Sequence, residues 1–231
     1  MIYLRGDTHN EDLVHLAAID FTNKNLTKED FVIVLGDFGL LWNAEEDELE
    51  KSNIKILNER KFITLWLDGN HENFYRINRL PTKDFAGGKV GVISDSILHL
   101  KRGEVYELQG KKFFVFGGGY SIDKAWRTPY ISWWPEELPN VAEYKNGLDN
   151  LEKHNWKFDY ILTHDAPTSI YAELDRKYDM VKTANHRLPA YLEEIKNKAE
   201  FKHWYFGHFH LEDTFKYKYT CLYKNVVILR D

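Results

Sequence analysis

Cysteine is almost absent from this chain. Cys221 is the only one in 231 residues, which excludes an internal disulfide and any site built on clustered thiolates. No run approaches the roughly 20 apolar residues of a membrane span. An apolar signal-peptide core does not fit at the start either, where Arg5 is the first charge and Asp7 follows. A cytoplasmic location is the expectation. Positive charge is scarce as well: 31 Lys and Arg against 36 Asp and Glu leave a formal net charge of -5. Without an overall electropositive field, strong non-specific nucleic-acid binding is not expected, and any phosphate must be held locally. Neither repeats nor low-complexity segments are visible.

What is present reads as a soluble globular protein, with 43% hydrophobic and 29% charged residues. The length suits one domain over residues 1–231. Met1–Leu4, Phe31–Leu35 and Phe62–Leu67 are apolar runs suited to buried parallel strands. Helical patterns over Glu11–Phe21 and Glu45–Arg60 separate them, the second with Leu49, Ile54 and Leu57 as its buried stripe. From Val90 the pattern changes to short strands at Val90–Ile93, Ile97–Leu100, Glu104–Leu108 and Lys112–Phe116, for which antiparallel pairing is expected. Gly117-Gly118-Gly119 then predicts a close backbone approach. Ser121–Asn140 reads as a long ordered loop held by Trp126, Tyr130, Trp133 and Trp134. Helices over Val141–Asn155 and Pro189–Lys198 flank a strand at Phe158–Leu162. Strands at Trp204–Phe206, Thr214–Leu222 and Val226–Leu229 complete the chain. Two sheets with helices outside both is the simplest assembly.

The chemistry gathers where strands end. The first run stops at Gly6-Asp7-Thr8-His9 and the second at Gly36-Asp37. The third stops at Gly69-Asn70-His71-Glu72, and two later runs stop at Thr163-His164 and Gly207-His208-Phe209-His210. Ligand crevices of open α/β sheets lie outside the carboxyl ends of the strands. Taken singly, Asp7, Asp37 or Asn70 could be a helix cap or a turn residue. Together the blocks deliver carboxylates, an amide and imidazoles to one edge, which is a metal site by ligand type and a two-metal site by ligand number.

The ordered set of five blocks resembles the calcineurin-like metallophosphoesterase superfamily, over positions 6 to 210. The resemblance implies an α/β fold in which two mixed β-sheets pack as a sandwich with helices on both outer faces, a four-layer αββα arrangement. It implies that Asp7, His9 and His210 hold one divalent metal ion, and that Asn70, His164 and His208 hold another. Asp37 would bridge them, and His71 would be the catalytic residue facing the substrate phosphate. Imidazoles with carboxylates and one amide oxygen suit Mn, Fe, Zn or Ni, with Mn favoured. Two such cations outweigh the charges of Asp7 and Asp37, so the centre can attract phosphate within an acidic protein. Metal coordination lowers the pKa of water to about 7, and the implied reaction is hydrolysis of a phosphate mono- or diester by a metal-bridging hydroxide. His71 would stabilise developing charge or protonate the leaving oxygen. The alternative is a catalytically silent, metal-holding scaffold or interaction module on the same fold.

Two features depart from relatives in the protein-phosphatase and dinucleotide-tetraphosphatase branches. The second block continues Phe38-Gly39-Leu40-Leu41-Trp42, so Leu40 replaces an Asp that would orient the histidine, and a phosphate-gripping Arg is missing. Asn10 also stands in place of a glycine. The residues for choosing a substrate, possibly nucleotide-like, are sought in Tyr120–Trp134. There Trp126 and Arg127 are the substrate-binding candidates, cation and flat ring side by side.

Overall fold

The computed structural model describes residues 1–10, 16, 19, 23, 25–180 and 186–229. The helix expected over Glu11–Phe21 lies outside the described residues except for Leu16 and Ile19, both buried.

One sheet has seven strands: β1 (Ile2–Arg5), β2 (Phe31–Leu35), β3 (Ile63–Leu67), β4 (Thr82–Phe85), β5 (Gly88–Ser94), β6 (Ile97–Leu100) and β13 (Val227–Leu229). Their spatial order is β13-β1-β2-β3-β6-β5-β4. The central β1, β2, β3 and β6 run parallel, while β13 and β5 join their neighbours antiparallel. The other sheet has six strands: β7 (Val105–Leu108), β8 (Lys111–Phe116), β9 (Tyr160–Thr163), β10 (His203–Phe206), β11 (Asp213–Phe215) and β12 (Tyr219–Cys221). They are ordered β11-β12-β10-β9-β8-β7, with β8, β9, β10 and β12 parallel. Among the continuously described residues the helices are α1 (Glu48–Asn58), α2 (Phe74–Ile77), α3 (Val141–Lys153), α4 (Thr168–Tyr178) and α5 (Arg187–Lys198).

Successive strand side chains face opposite ways, and the core divides accordingly. Ile33, Leu35, Leu65 and Leu67 of the first sheet meet Phe113, Val115 and Leu162 of the second in a shared apolar layer. The alternate residues Val32, Val34 and Trp66 point out to an outer layer with Leu57 of α1, Ile77 of α2, Leu16 and Ile19. Phe114, Phe116, Ile161 and Trp204 point the other way, onto Leu151 of α3, Ile170 and Leu174 of α4, and Leu192 of α5. This is the expected four-layer αββα sandwich. The parallel strands of both sheets finish on one common side, which brings distant segments of sequence to one edge.

Local expectations are corrected at several places. Leu49 is 59% exposed, and α1 instead buries Glu50, which forms a two-point ion pair with Arg76. A hydrophobic stripe cannot register a charge buried through such a pair. Thr214–Leu222 is two strands, because Lys216 and Tyr217 turn the chain with positive φ. Pairing after Val90 is antiparallel within β4–β5–β6 and β7–β8, yet β6 runs parallel to β3 and β8 parallel to β9. Both β4 and the helix α4 went unread. Of the four expected loop anchors only Trp134 is fully buried, whereas Trp126 is 91% and Tyr130 65% exposed. The loop also contains 3₁₀ turns at Lys124–Trp126 and Pro135–Glu137.

Candidate metal centre

Asp7 and His9 follow β1, and Asp37 follows β2, the adjacent parallel strand. Backbone N–H groups of Thr8 and His9 both donate to the Asp37 carbonyl, at 3.1 and 2.8 Å, lacing the first two blocks together. The third block is tied in through Asp37 Oδ1, which accepts from the backbone N–H of Asn70 at 2.8 Å and of His71 at 2.7 Å. Glu72 completes the lacing: its buried carboxyl accepts from Phe38 N at 2.8 Å and Gly39 N at 3.3 Å. Burial, reinforced by Asp37 and Asp68, pushes the Glu72 carboxyl well above the usual range, against those two N–H groups. No block is free to drift from its neighbours.

The second sheet supplies the rest. His164 follows β9, and its Nδ1 donates across to the Leu35 carbonyl at 2.7 Å. That bond leaves Nε2 facing Asn70 Oδ1 at 3.2 Å and Asp37 Oδ1 at 3.4 Å. His208 follows β10; its backbone N–H donates to Asp7 Oδ1 at 3.0 Å, and its ring lies 4.9 Å from that of His164. His210 Nε2 comes within 3.0 Å of both Asp7 Oδ2 and His9 Nε2.

Such convergence requires backbone that most residues avoid. His9, Asp37, His208 and His210 all have positive φ, between 47° and 69°. Non-glycine residues held there cost about 1–3 kcal/mol each and cluster at functional sites. Two glycines permit the close approach. A Cβ at Gly69 would lie 2.1 Å from Asp37 Oδ1, and one at Gly119 would lie 2.9 Å from His164 Cδ2 and 3.0 Å from Asn70 Oδ1. The expectation of a tight approach at the triple glycine is thereby explained.

The donor set fits metal ions on two observations. Ligand atoms of Asp7, His9, Asp37 and His210 all lie within 4.8 Å of one another. Asp7 Oδ2 is buried and, among the described residues, accepts no well-aligned hydrogen bond although His210 Nε2 stands 3.0 Å away, a costly state that a cation between them relieves. Three acceptors also converge at His164 Nε2, Asn70 Oδ1 and Asp37 Oδ1, an arrangement that suits a second cation or a proton. Burial disfavours the ionised Asp37 carboxyl, but His164, His71 and His9 outweigh it and hold Asp37 far below the usual carboxylate range.

His71 stands at the mouth of the site. Its ring is edge-on to His9, with centroids 5.0 Å apart, and stacks on Trp42 at 6.0 Å. Trp42 in turn abuts the buried Trp134. Leu40, at the position from which an Asp would orient the histidine, is packed in the outer core. The orienting contacts come from Trp42 and from Arg127, whose guanidinium lies across both ring nitrogens at 3.2 and 2.9 Å. Burial lowers the His71 pKa, with Arg127 and His9 adding to the effect and Asp37 opposing it. A cavity of about 330 Å³ opens here, lined in part by His71, Tyr120, Ser121, Met180 and Phe209. Trp126 is not brought to this cavity; it points to solvent. Sequence reading missed Trp42 and Ser121, the latter accepting from Asn70 Nδ2 at 3.1 Å. Neither carries a signal on its own, since an aromatic and a serine in loops have many commoner uses.

Carboxylates, imidazoles and an amide gather on one edge of a two-sheet sandwich as a candidate metal site. The family description for calcineurin-like phosphoesterases matches residues 2–212, and the chain belongs to that family. No curated protein matches the sequence. Among the described residues no helix is long and apolar enough to cross a membrane.

Proposed function

We propose that the protein hydrolyses a phosphate mono- or diester at a dinuclear divalent-metal centre. Asp7, His9 and His210 would hold one ion and Asn70, His164 and His208 the other, with Asp37 shared between them. The observation that carries this reading is the convergence on Asp37: one carboxylate stands within 3.8 Å of His9 Nε2 through Oδ2 and within 3.4 Å of His164 Nε2 through Oδ1. When bound, the ions would supply a water molecule activated at neutral pH and neutralise phosphate charge.

The chain's own residues do the remainder. The Leu35 carbonyl fixes the His164 tautomer, so that Nε2 presents its lone pair inward. His71, held outside the ligand cluster by Trp42 and Arg127, is placed to stabilise charge on the phosphate or to protonate the leaving oxygen. A cytoplasmic location and a preference for manganese belong to this reading.

The test is turnover of p-nitrophenyl phosphate and its bis ester by the purified protein, with added Mn²⁺ and after chelation. Hydrolysis that is lost on chelation and restored by Mn²⁺ is expected. Two bound equivalents of metal without turnover of either ester would favour the silent scaffold instead.

A further inference from the structure

Resting on the phosphoesterase reading above, we propose that Arg127 binds the substrate's phosphate itself, and that it favours a terminal phosphate, as in a monoester. The guanidinium belongs to the loop after β8, on the second sheet, yet it reaches the histidine carried by the first. Its side chain is only 15% exposed. Nη2 pairs with Asp123 at 2.8 Å, and Nη1 donates to the Ser132 carbonyl at 3.1 Å.

The contact with His71 is a poor use of these donors. Nη1 approaches Nδ1 at 3.2 Å and Nη2 approaches Nε2 at 2.9 Å. A neutral imidazole has one lone pair and one N–H, so only one of the two approaches can be a hydrogen bond. A protonated ring would accept neither. A planar guanidinium fork matches two oxygens of one phosphate far better than the two nitrogens of one imidazole. Asp123, which lines the cavity, and the Ser132 carbonyl hold the guanidinium against His71, so a phosphate arriving beside that ring would meet donors already in position.

Other cations leave this task open. Leu40 and Leu41, which follow Asp37 in the second block, pack into the outer core and offer the site nothing. None of the described residues lining the cavity is Lys or Arg, and Arg127 borders it through two that do line it, His71 and Asp123. Lys124 is laid over the Tyr120 ring, 4.0 Å from its centroid. Among the described residues, the guanidinium in contact with His71 is therefore the cation the phosphate would meet.

The preference for a monoester follows from counting oxygens. A fork needs two non-bridging oxygens. A diester has only two, so the fork and the metal edge would compete for them. A monoester has a third to share, and its second negative charge gains further from a neighbouring cation.

The experiment compares the parent with Arg127→Ala by calorimetric titration of the manganese-loaded proteins with inorganic phosphate, beside kcat/KM for p-nitrophenyl phosphate and its bis ester. Arg127→Ala is expected to keep its metal and melting temperature but to bind phosphate roughly 10–100-fold more weakly, as loss of a charged hydrogen-bonding partner implies. Its kcat/KM should fall on both esters, since Arg127 also holds His71, and should fall further on the monoester by a factor similar to the loss in phosphate affinity. Unchanged phosphate affinity overturns the assignment of Arg127, and equal losses on both esters overturn the monoester preference. If the parent hydrolyses neither ester, the phosphoesterase reading fails, while the phosphate titration still decides what Arg127 does. Should the alanine variant not fold, Arg127→Gln, which keeps much of the stem and some of the donors, is judged by the same titration.

Discussion

Oδ1 of Asp37 accepts the backbone N–H of His71 at 2.7 Å. The residue at the centre of the candidate ligand cluster therefore also fixes the position of the histidine proposed to face substrate, and the two roles can be separated by substitution.

Asp37→Asn keeps the shape and one carbonyl oxygen but removes the charge. Because Asp37 faces His9 on one side and His164 on the other, both metal positions should weaken together. Elemental analysis of the purified variant checks this. Two full equivalents with normal turnover would show that Asp37 bridges nothing.

His71→Ala should do the reverse. The imidazole stands outside the ligand cluster, so bound metal and fold are expected to survive while the rate drops roughly 10²–10⁴-fold, as for loss of a general acid. Metal loss on this substitution would make His71 a ligand, and an unchanged rate would remove it from the chemistry.

Metal affinity should depend on pH through His164. Burial opposes the imidazolium there, but Asp37 and Asp7 outweigh it and lift His164 above the usual histidine range. In the metal-free protein that shift contributes stability which is complete below about 6.5 and is lost as pH rises through the folded value. A metal ion must displace the same proton, so affinity should fall about tenfold per pH unit below that value for each proton displaced. Calorimetry in buffers of different ionisation enthalpy measures the protons released. A flat affinity across pH of roughly 6 to 8 would contradict it.

Behind the site lies a buried charge network. Asp68, next to Gly69, accepts from Arg102 Nε at 2.8 Å and faces His99 Nε2 at 3.0 Å, while Arg102 also reaches Glu143 at 3.1 Å. Burial disfavours the Asp68 carboxylate, but Arg102 and His99 overcome this and hold it well below the usual range. Arg102→Met strands that charge and should cost about 3–5 kcal/mol in urea unfolding. Adding Asp68→Leu should return part of the loss. A single variant as stable as the parent would mean the network contributes little.

The loop tip gives the opposite expectation. Trp126 is 91% exposed, so Trp126→Ala should change stability by no more than about 0.5 kcal/mol. A larger fall in melting temperature would show that the ring packs in solution.

The strand-end blocks were legible because each pairs an apolar run with a polar stop, and parallel strands carry every stop to the same side. The sandwich was legible for the same reason. What escaped was set by partners distant in sequence. Nothing near Leu49 announces that Glu50, through Arg76, takes the buried place. The loop Tyr120–Trp134 was singled out as a unit, but its residues divide. Arg127 turns in to His71 and Trp126 turns out, a choice made by Asp123 and Ser132 and not by residue type. Positive φ at four site residues was likewise unread, since the mild preference of histidine and aspartate for it does not single out a position.

His71 is carried by one sheet and Arg127 by a loop of the other, and the His164–Leu35 bond crosses the same seam. Leu67 and Val115, in the shared apolar layer, lie at the ends of strands leading to these residues. Two contacts of the candidate site thus span the seam between the sheets, and a shift of one sheet against the other would disturb both. Conservative changes in volume at this seam can retune activity while every polar side chain of the site remains in place.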